Sequence, residues 1–153
     1  MMDQIDHIMA IMGAAFDPQW GERWTRRQVS DALIMPNTHA IVIDASGSEV
    51  GASFDGQSAG FALTRCAADE EELLLIAVHP NFRGLGLGVK LISILRTKSR
   101  KRGISRIFLE MRSNNPAERL YRRMGFEPIG RRANYYRNEN GEQLDAITFG
   151  LSN

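Results

Sequence analysis

The sequence has few of the features that build metal centres, disulfides or membrane spans. It has one cysteine, Cys66, which excludes a disulfide within the chain, and its three histidines lack the spacing of metal ligands. The longest apolar run, at 73–78, is far too short to cross a bilayer. Asp3 and Asp6 stand where the basic part of a signal peptide would lie. We therefore expect a cytoplasmic protein with no metal and no membrane partner.

No repeat, low-complexity tract or long linker divides the chain. Its 43% of hydrophobic and 24% of charged residues are ordinary for a globular protein. A chain of 153 residues should bury roughly 68–70% of its unfolded surface, which is enough for one sizeable core. We expect residues 1–153 to form a single domain.

Charge is distributed unevenly along the chain. Residues 1–82 hold 4 basic and 12 acidic side chains, a net charge of −8, whereas residues 83–153 hold 15 and 6, a net charge of +9. A basic half can bind nucleic acid or an anionic cofactor, or it can be a solvated surface. The most basic stretch, 96–106, contains no aromatic residue on which single-stranded bases would stack. We therefore expect no nucleic acid partner.

Hydrophobic periodicity predicts helices and strands in a mixed order. The predicted elements are a helix capped by Asp3, a helix capped by Thr25, strands at 39–44, 58–66 and 71–79, a helix at 87–102, a strand at 104–111, a helix capped by Asn114 or Asn115, and strands at 126–132 and 143–151. The strand–helix–strand unit from 71 to 111 predicts one parallel pair with a right-handed crossover. The fold class is therefore α/β (α+β), with a mixed central sheet of six or seven strands and helices on both faces.

The segment 78–88, which reads Val-His-Pro-Asn-Phe-Arg-Gly-Leu-Gly-Leu-Gly, joins a buried strand to the start of a helix. Its three alternating glycines let the backbone approach a ligand closely, and the first N–H groups of the helix favour a phosphate or pyrophosphate. The segment lacks the Gly-Lys-Ser/Thr ending of a Walker loop. It also lacks the acidic residue that follows a dinucleotide-binding fingerprint.

The pattern Arg83-x-x-Gly86-x-Gly88 resembles the pyrophosphate loop of the GNAT superfamily of N-acetyltransferases. The resemblance runs from Gly60-Phe61 to Asp145-Ala146 and is closest to the ribosomal-protein-alanine N-acetyltransferases. The segments that carry it are Glu-Leu-Leu-Leu-Ile-Ala-Val-His-Pro at 72–80, Leu-Glu-Met-Arg at 109–112, Ser-Asn at 113–114, Leu-Tyr at 120–121, Gly-Phe at 125–126 and Tyr-Tyr at 135–136. The sequence departs from the family pattern in two ways. Its first predicted element is a helix instead of the usual strand, and the segment between Glu110 and Asn114 is one residue shorter than in close relatives.

The resemblance implies the GNAT fold and direct transfer of acetyl from acetyl-CoA to a primary amine. In the most similar group, that amine is the N-terminal α-amine of a protein or peptide. The alternatives are a small-molecule amine or a lysine side chain as acceptor, or a non-catalytic acyl-CoA-binding module. The residues implied for acetyl-CoA binding are Ala77, Val78, Arg83, Gly84, Leu85, Gly86, Leu87, Gly88, Asn114, Asn115 and Tyr121.

The resemblance also implies the groups that move protons. Tyr121 would protonate the departing thiolate, which is feasible because tyrosine and thiol pKa values differ by about 1.5 units. Glu110 would accept the proton of the amine, and Glu72 on the neighbouring strand is the alternative base. The alternatives without catalysis are packing of Tyr121 against the sheet and an ion pair between Glu110 and Arg112.

The acceptor is expected between the first two helices, in the segment 16–24, and near the last hairpin. The residues implied for acceptor binding are Trp20, Trp24, Tyr135 and Tyr136. The two tryptophans can equally be anchors of the core. Glu71 is expected in a solvated turn and Arg102 on a solvated helix face, while Asp145 matches the family pattern without an assigned role.

Overall fold

The computed structural model describes residues 2–16 and 21–153. The elements, in chain order, are helices α1 (Gln4–Ala15) and α2 (Arg26–Ile34), strands β1 (Thr38–Ile43), β2 (Gly60–Ala67) and β3 (Glu70–Val78), a 3₁₀ turn (Pro80–Phe82), helix α3 (Leu87–Lys101), strand β4 (Arg106–Arg112), helix α4 (Glu118–Arg123), and strands β5 (Glu127–Arg137) and β6 (Gln143–Ser152).

The first two helices start where the sequence predicts because their caps form. Asp3 accepts a hydrogen bond from the backbone N–H of Asp6 at 2.8 Å, and Asp6 accepts one from the N–H of Asp3 at 3.0 Å. Thr25 and Gln28 make the same reciprocal pair at the start of α2. Each pair satisfies two backbone donors that a helix start would otherwise leave unbonded.

The strands form one sheet in the order β1-β2-β3-β4-β6-β5. Strands β3 and β4 are parallel and are joined by α3, whereas the other neighbours are antiparallel. The predicted mixed sheet with one parallel pair is therefore confirmed. Within the described residues, α1 precedes every strand, and β1 forms one edge of the sheet.

Helices cover both faces of the sheet, as predicted. One buried cluster joins α1 and α2 to the sheet through Ile8, Ile11, Met12, Val29 and Phe61. The other joins α3 and α4 to the opposite face through Leu87, Leu91, Ile92, Leu95 and Tyr121. In the part of the chain that the structure describes, no helix is both long and apolar enough to cross a membrane.

The parallel strands β3 and β4 separate after a short paired segment. Their pairing covers only residues 70–72 of β3 and 106–108 of β4, although both strands continue beyond it. On its other side, β3 shifts register against β2, because Leu63 pairs with Leu75 and Thr64 with Leu73. Leu74 is thus an extra residue in β3, and such a bulge bends a strand. The bend and the short pairing leave a gap between the two strands.

Glu71 and Arg102 differ from the sequence-based expectation. Glu71 is fully buried, and both of its carboxylate oxygens accept hydrogen bonds from Arg102 at 2.5 Å. Thr64 donates a further hydrogen bond to Oε2 at 2.5 Å. The expected solvated turn is therefore wrong for Glu71. Strand β3 begins at Glu70, and alternation along the strand turns the next side chain inwards.

The last helix and the following strand also differ from their predicted bounds. Helix α4 begins at Glu118, because Asn115 first caps a turn through a 2.9 Å bond from the N–H of Ala117. Strand β5 continues to Arg137, beyond the predicted end at residue 132. This extension carries Tyr135 and Tyr136, which therefore lie on a strand.

Candidate active site

The gap between β3 and β4 forms a cleft of about 990 Å³. Residues 73–78 of β3 form one wall, and residues 109–112 of β4 form the other. The end of α1, the segment before α2 and the segment leading into α4 close its sides. Because the strands no longer bond to each other here, their backbone polar groups are available to a ligand that enters the cleft.

The glycine segment sits at the start of α3. Gly84 and Gly86 adopt φ angles of 80° and 76°, a left-handed conformation that favours glycine. Gly86 is the N-cap of α3, and among the described residues no side chain caps this helix. The first N–H groups of this 15-residue helix are therefore open to an anion.

Gly88 is required for close packing, whereas Gly84 and Gly86 are required for a left-handed backbone. A Cβ atom at this position would lie 2.8 Å from Cδ2 of Leu120 in α4. Its lack of a side chain therefore lets α3 and α4 approach each other. Leu120 precedes Tyr121, so this contact also helps to set the position of the tyrosine.

The structure brings most of the residues predicted to bind acetyl-CoA to one cleft. Those that line it are Ala77, Val78, Arg83, Gly88, Asn114, Asn115 and Tyr121. Gly84, Leu85 and Gly86 form the adjoining loop, in which Leu85 is 61% exposed, and Leu87 is buried in the core. Arg83 donates from Nε to the carbonyl of Val78 at 3.4 Å and from a terminal nitrogen to that of Ala15 at 3.3 Å.

Tyr121 lies on α4 and lines the cleft while remaining 5% exposed. Its ring packs edge-on against Phe126, with 5.8 Å between the ring centroids. Burial, and secondarily the negative charge of Glu22, raises the pKa of the Tyr121 hydroxyl well above its usual value. The hydroxyl is therefore protonated at neutral pH and can act as a proton donor.

The two carboxylates predicted as bases have different surroundings. Glu110 lines the cleft, and both of its oxygens accept hydrogen bonds from Arg132, at 3.0 Å and 2.5 Å. In place of the alternative pair with Arg112, Glu110 pairs with Arg132, which reaches it from β5 across β6. Glu72 pairs with Arg65 of β2 at 3.0 Å and is not among the residues that line the cleft.

Two of the predicted acceptor-binding residues line the cleft. Trp24 is half-buried and packs against the buried cluster that joins α1 and α2 to the sheet. It also lines the cleft, so it contacts the core and faces the predicted acceptor site. Tyr136 is half-buried there, and burial, followed by the charges of Glu110 and Glu22, raises its pKa to about 12. Tyr135 is 52% exposed outside the cleft, with the Arg132 guanidinium 3.7 Å from its ring centroid. Trp20 lies outside the described residues.

An ion pair between Glu22 and Arg112 closes one side of the cleft. Nε of Arg112 donates to Oε1 of Glu22 at 3.0 Å, and the side chains are 11% and 20% exposed. Arg112 also donates to the side-chain oxygen of Asn114. No motif in the sequence predicts this pair, because its members lie in distant segments.

Asp145 supports the strand that carries Tyr136. Its carboxylate accepts from the N–H of Asn134 at 2.9 Å and from Nε of Arg131 at 2.6 Å. Asn134 has a φ of 52°, at an irregularity where β5 shifts register against β6 between Arg132 and Tyr136. The backbone hydrogen bond and then the arginine lower the pKa of Asp145. Asp145 thus fixes the irregularity that precedes Tyr136.

This fold and its cleft belong to a known class of enzyme. The family model described as "Acetyltransferase (GNAT) domain" matches residues 37–128, which is more than half of the chain. The chain belongs to this GNAT family and is an N-acetyltransferase. The expectation drawn from the Arg83–Gly88 pattern is therefore confirmed at the level of the family and its activity.

The comparisons with individual proteins agree with that family. A Bacillus subtilis protein provisionally named as a [ribosomal protein bS18]-alanine N-acetyltransferase is 31% identical over 92% of this chain and 85% of its own length. The Escherichia coli enzyme of that name is 39% identical over 63% of this chain, and the match spans 66% of its length, just under two thirds. The crystal structure of the Escherichia coli ribosomal-protein-S18-alanine N-acetyltransferase has a TM-score of 0.77 at 28% identity, covering 99% of this chain and 90% of that one.

A third protein of similar structure was solved with a ligand. The protein yncA of Salmonella typhimurium, provisionally described as an acetyltransferase, was determined with its cofactor acetyl-CoA. It has a TM-score of 0.56 at 28% identity, covering 64% of this chain and 60% of that one. Its fold thus matches over the greater part of both chains.

Proposed function

We propose that this N-acetyltransferase transfers the acetyl group of acetyl-CoA to the free α-amine at the N-terminus of a protein or peptide. The observation that carries the proposal is the cleft, which joins an uncapped helix start to a buried tyrosine between two separated strands. The names of the Bacillus subtilis and Escherichia coli relatives support the choice of acceptor. The cytoplasmic location and the absence of metal and nucleic acid stay predictions.

Acetyl-CoA is the donor in this proposal. Its pyrophosphate binds the N–H groups from Gly84 to Gly88, where the positive end of the α3 dipole favours negative charge. Its pantetheine arm lies along Ala77 and Val78, on the β3 wall of the cleft, with Asn114 and Asn115 opposite. Arg83 contributes by holding the carbonyl of Val78 and by placing positive charge beside the phosphates.

Tyr121 acts as the acid in this proposal. The neutral amine attacks the thioester carbon, the C–N bond forms, and the C–S bond breaks. The sulfur takes the proton of the Tyr121 hydroxyl as it leaves, and the new amide nitrogen releases its extra proton to water. The tyrosinate then takes a proton back from water, which restores the acid for the next cycle. Burial keeps the proton on Tyr121. A thiolate that forms in the same cleft is destabilised by the same loss of hydration, which favours transfer of the proton to sulfur.

An α-amine needs less help from a base than a lysine side chain. At pH 7, roughly 10% of an α-amine with a pKa near 8 is neutral, against about 0.04% of a lysine amine. One carboxylate is therefore enough for an N-terminal acceptor. Of the two predicted bases, Glu110 lines the cleft and Glu72 does not.

A panel of acceptors tests the proposed substrate. It contains peptides with a free N-terminus, the same peptides acetylated at the N-terminus but carrying a lysine, and polyamines. We expect thiol release to be fastest with the free N-terminus, including one that begins with alanine. Faster reaction of the blocked peptides or the polyamines would move the acceptor to a lysine or a small amine. Binding of acetyl-CoA without any acetyl transfer would indicate a non-catalytic acyl-CoA-binding module.

A further inference from the structure

Four charged side chains line the cleft among the described residues, namely Glu22, Arg83, Glu110 and Arg112. A protonated amine that enters the cleft needs a negative partner there, which leaves the two carboxylates. Both oxygens of Glu110 already accept hydrogen bonds from Arg132, whose guanidinium also stacks on Tyr135. Each oxygen keeps a second lone pair, but an ammonium group at Glu110 would share a carboxylate whose charge Arg132 already balances through two bonds.

Glu22 has an oxygen available. Oε1 accepts from Arg112 at 3.0 Å, but within the described residues Oε2 accepts no hydrogen bond. The carboxylate is oriented by Arg112, a side chain only 11% exposed that is itself bonded to Asn114. Among the residues that the structure describes, Glu22 is thus a carboxylate held by Arg112, with one oxygen that accepts no hydrogen bond.

Glu22 also lies close to the reacting end of the cleft. Its negative charge contributes to the raised pKa of Tyr121 and of Tyr136, the two tyrosines that line the cleft. Glu22 thus lines the same cleft as its partner Arg112, these two tyrosines and Glu110. A positive acceptor held by Glu22 would lie beside the tyrosine that we propose as the acid.

We propose that Glu22 binds the acceptor's α-ammonium group through Oε2 and accepts its proton, and that Glu110 serves with Arg132 to link β4 to β5 across β6. In this step an N–H bond of the ammonium breaks, the proton passes to Oε2, and the nitrogen keeps the electron pair with which it attacks the thioester. The carboxyl group later returns the proton to water. This inference rests on the proposed N-terminal acceptor.

The first experiment compares matched substitutions of carboxylates by amides. Glu22→Gln should lower kcat/KM for a peptide with a free N-terminus by about 10²–10⁴-fold, the usual contribution of a positioned base, while the Kd for acetyl-CoA stays within about twofold of wild type. Glu110→Gln should lower it at least tenfold less. Glu49→Gln, which removes one carboxylate of an exposed ion pair with Lys98, is the neutral control. A loss with Glu110→Gln equal to or larger than that with Glu22→Gln would overturn the proposal.

The second experiment measures binding instead of turnover. Calorimetry compares a peptide that carries its α-amine with the same peptide lacking that amine, each added to the enzyme–CoA complex. Wild type should prefer the amine by about 10–100-fold, the strength of a charged hydrogen bond, and Glu22→Gln should lose the preference. Glu22→Asp, which keeps the charge, should retain part of it and shows that the site still folds. An unchanged preference in Glu22→Gln would refute the assignment.

The two proposals fail in different ways. If wild type does not acetylate free N-termini, the proposed acceptor is wrong, whatever the variants do. If wild type acetylates them and Glu22→Gln does so equally well, only the role of Glu22 is wrong.

Discussion

Tyr121 combines burial with access to the cleft, and that combination suits a proton donor. The Tyr121 ring packs against the rings of Phe126 and Phe149, and its buried hydroxyl is expensive to ionise because the charged form loses its hydration. Its proton is therefore retained across the neutral and mildly alkaline range. Transfer to sulfur is possible because the loss of hydration in the cleft also destabilises the developing thiolate and so raises its affinity for a proton.

Replacement of this hydroxyl provides a direct test. Tyr121→Phe should lower kcat by about 10²–10⁴-fold, the usual contribution of a positioned acid, and should leave the Kd for acetyl-CoA nearly unchanged. The ring contacts with Phe126 and Phe149 survive in this variant, so its thermal unfolding should stay close to that of wild type. Steady-state kinetics, calorimetry and thermal unfolding separate the two roles. A variant that loses stability but keeps its kcat would mean that Tyr121 only packs the helix against the sheet.

At the scale of elements, local signals were enough to predict where most helices and strands begin. Asp3 and Thr25 cap their helices because a capping box needs only residues three positions apart. The glycine segment likewise predicted the start of α3, because left-handed residues and a helix N-terminus are local features.

Features that depend on distant contacts could not be predicted in this way. The bulge at Leu74 and the separation of β3 from β4 arise from register between strands, which no single segment encodes. The pairing of Glu110 with Arg132 depends on the strand order β4-β6-β5, which brings residues 22 positions apart together across β6. Glu22 and Arg112 meet only because the fold brings the segment before α2 to the end of β4, 90 residues later in the chain. The sequence thus predicted the donor loop better than the acceptor end.

The irregular part of β5 offers a test at this scale. Asp145→Ala removes the acceptor for the N–H of Asn134, so the backbone before Tyr136 should loosen and KM for the peptide should rise roughly twofold to tenfold, as expected for one lost hydrogen bond. Asp145→Asn is the matched control, because its amide oxygen can still accept from Asn134. An equal rise in KM for both variants would attribute the effect to the charge pair with Arg131.

The same residue predicts a dependence of stability on pH. The folded-state pKa of Asp145 is lowered, so its contribution to stability is present above its ordinary pKa and is lost as the pH falls through the lowered value. The difference in unfolding free energy between wild type and Asp145→Asn should therefore be largest above about pH 5 and should shrink below about pH 4. Urea unfolding across this range measures it.

At the scale of the whole molecule, the acidic and basic halves of the sequence pair with each other. Glu49 binds Lys98, Glu71 binds Arg102, Glu70 binds Arg106 and Glu22 binds Arg112. Each of these ion pairs joins residues 1–82 to residues 83–153. The uneven charge thus reflects, in part, the way in which α3 and β4 dock onto the first three strands. The pair between Glu22 and Arg112 joins the two halves at the side of the cleft, which both residues line.

The cleft lies between these two parts, so a ligand that binds both of its walls should stabilise the whole fold. At a free concentration of 100 times its Kd, acetyl-CoA should add about 2.7 kcal/mol to the free energy of unfolding. For a chain of this length, that is a rise in Tm of roughly 5–10 °C. Thermal unfolding with and without acetyl-CoA measures the shift, and absence of any shift at saturating acetyl-CoA would contradict binding in this cleft.

Two glycine variants locate the source of that shift. Gly86→Glu should abolish it, because the new carboxylate would stand where we propose that the pyrophosphate binds. Gly103→Glu is the matched control at the other end of α3. Gly86 and Gly103 have φ angles of 76° and 78°, and a Cβ atom at either site would meet nothing within 4 Å. The two variants should therefore carry similar backbone strain and lose similar stability without ligand, while only Gly103→Glu keeps the shift in Tm. If both variants keep it, the pyrophosphate does not bind at the start of α3, and the donor site must be sought elsewhere in the cleft.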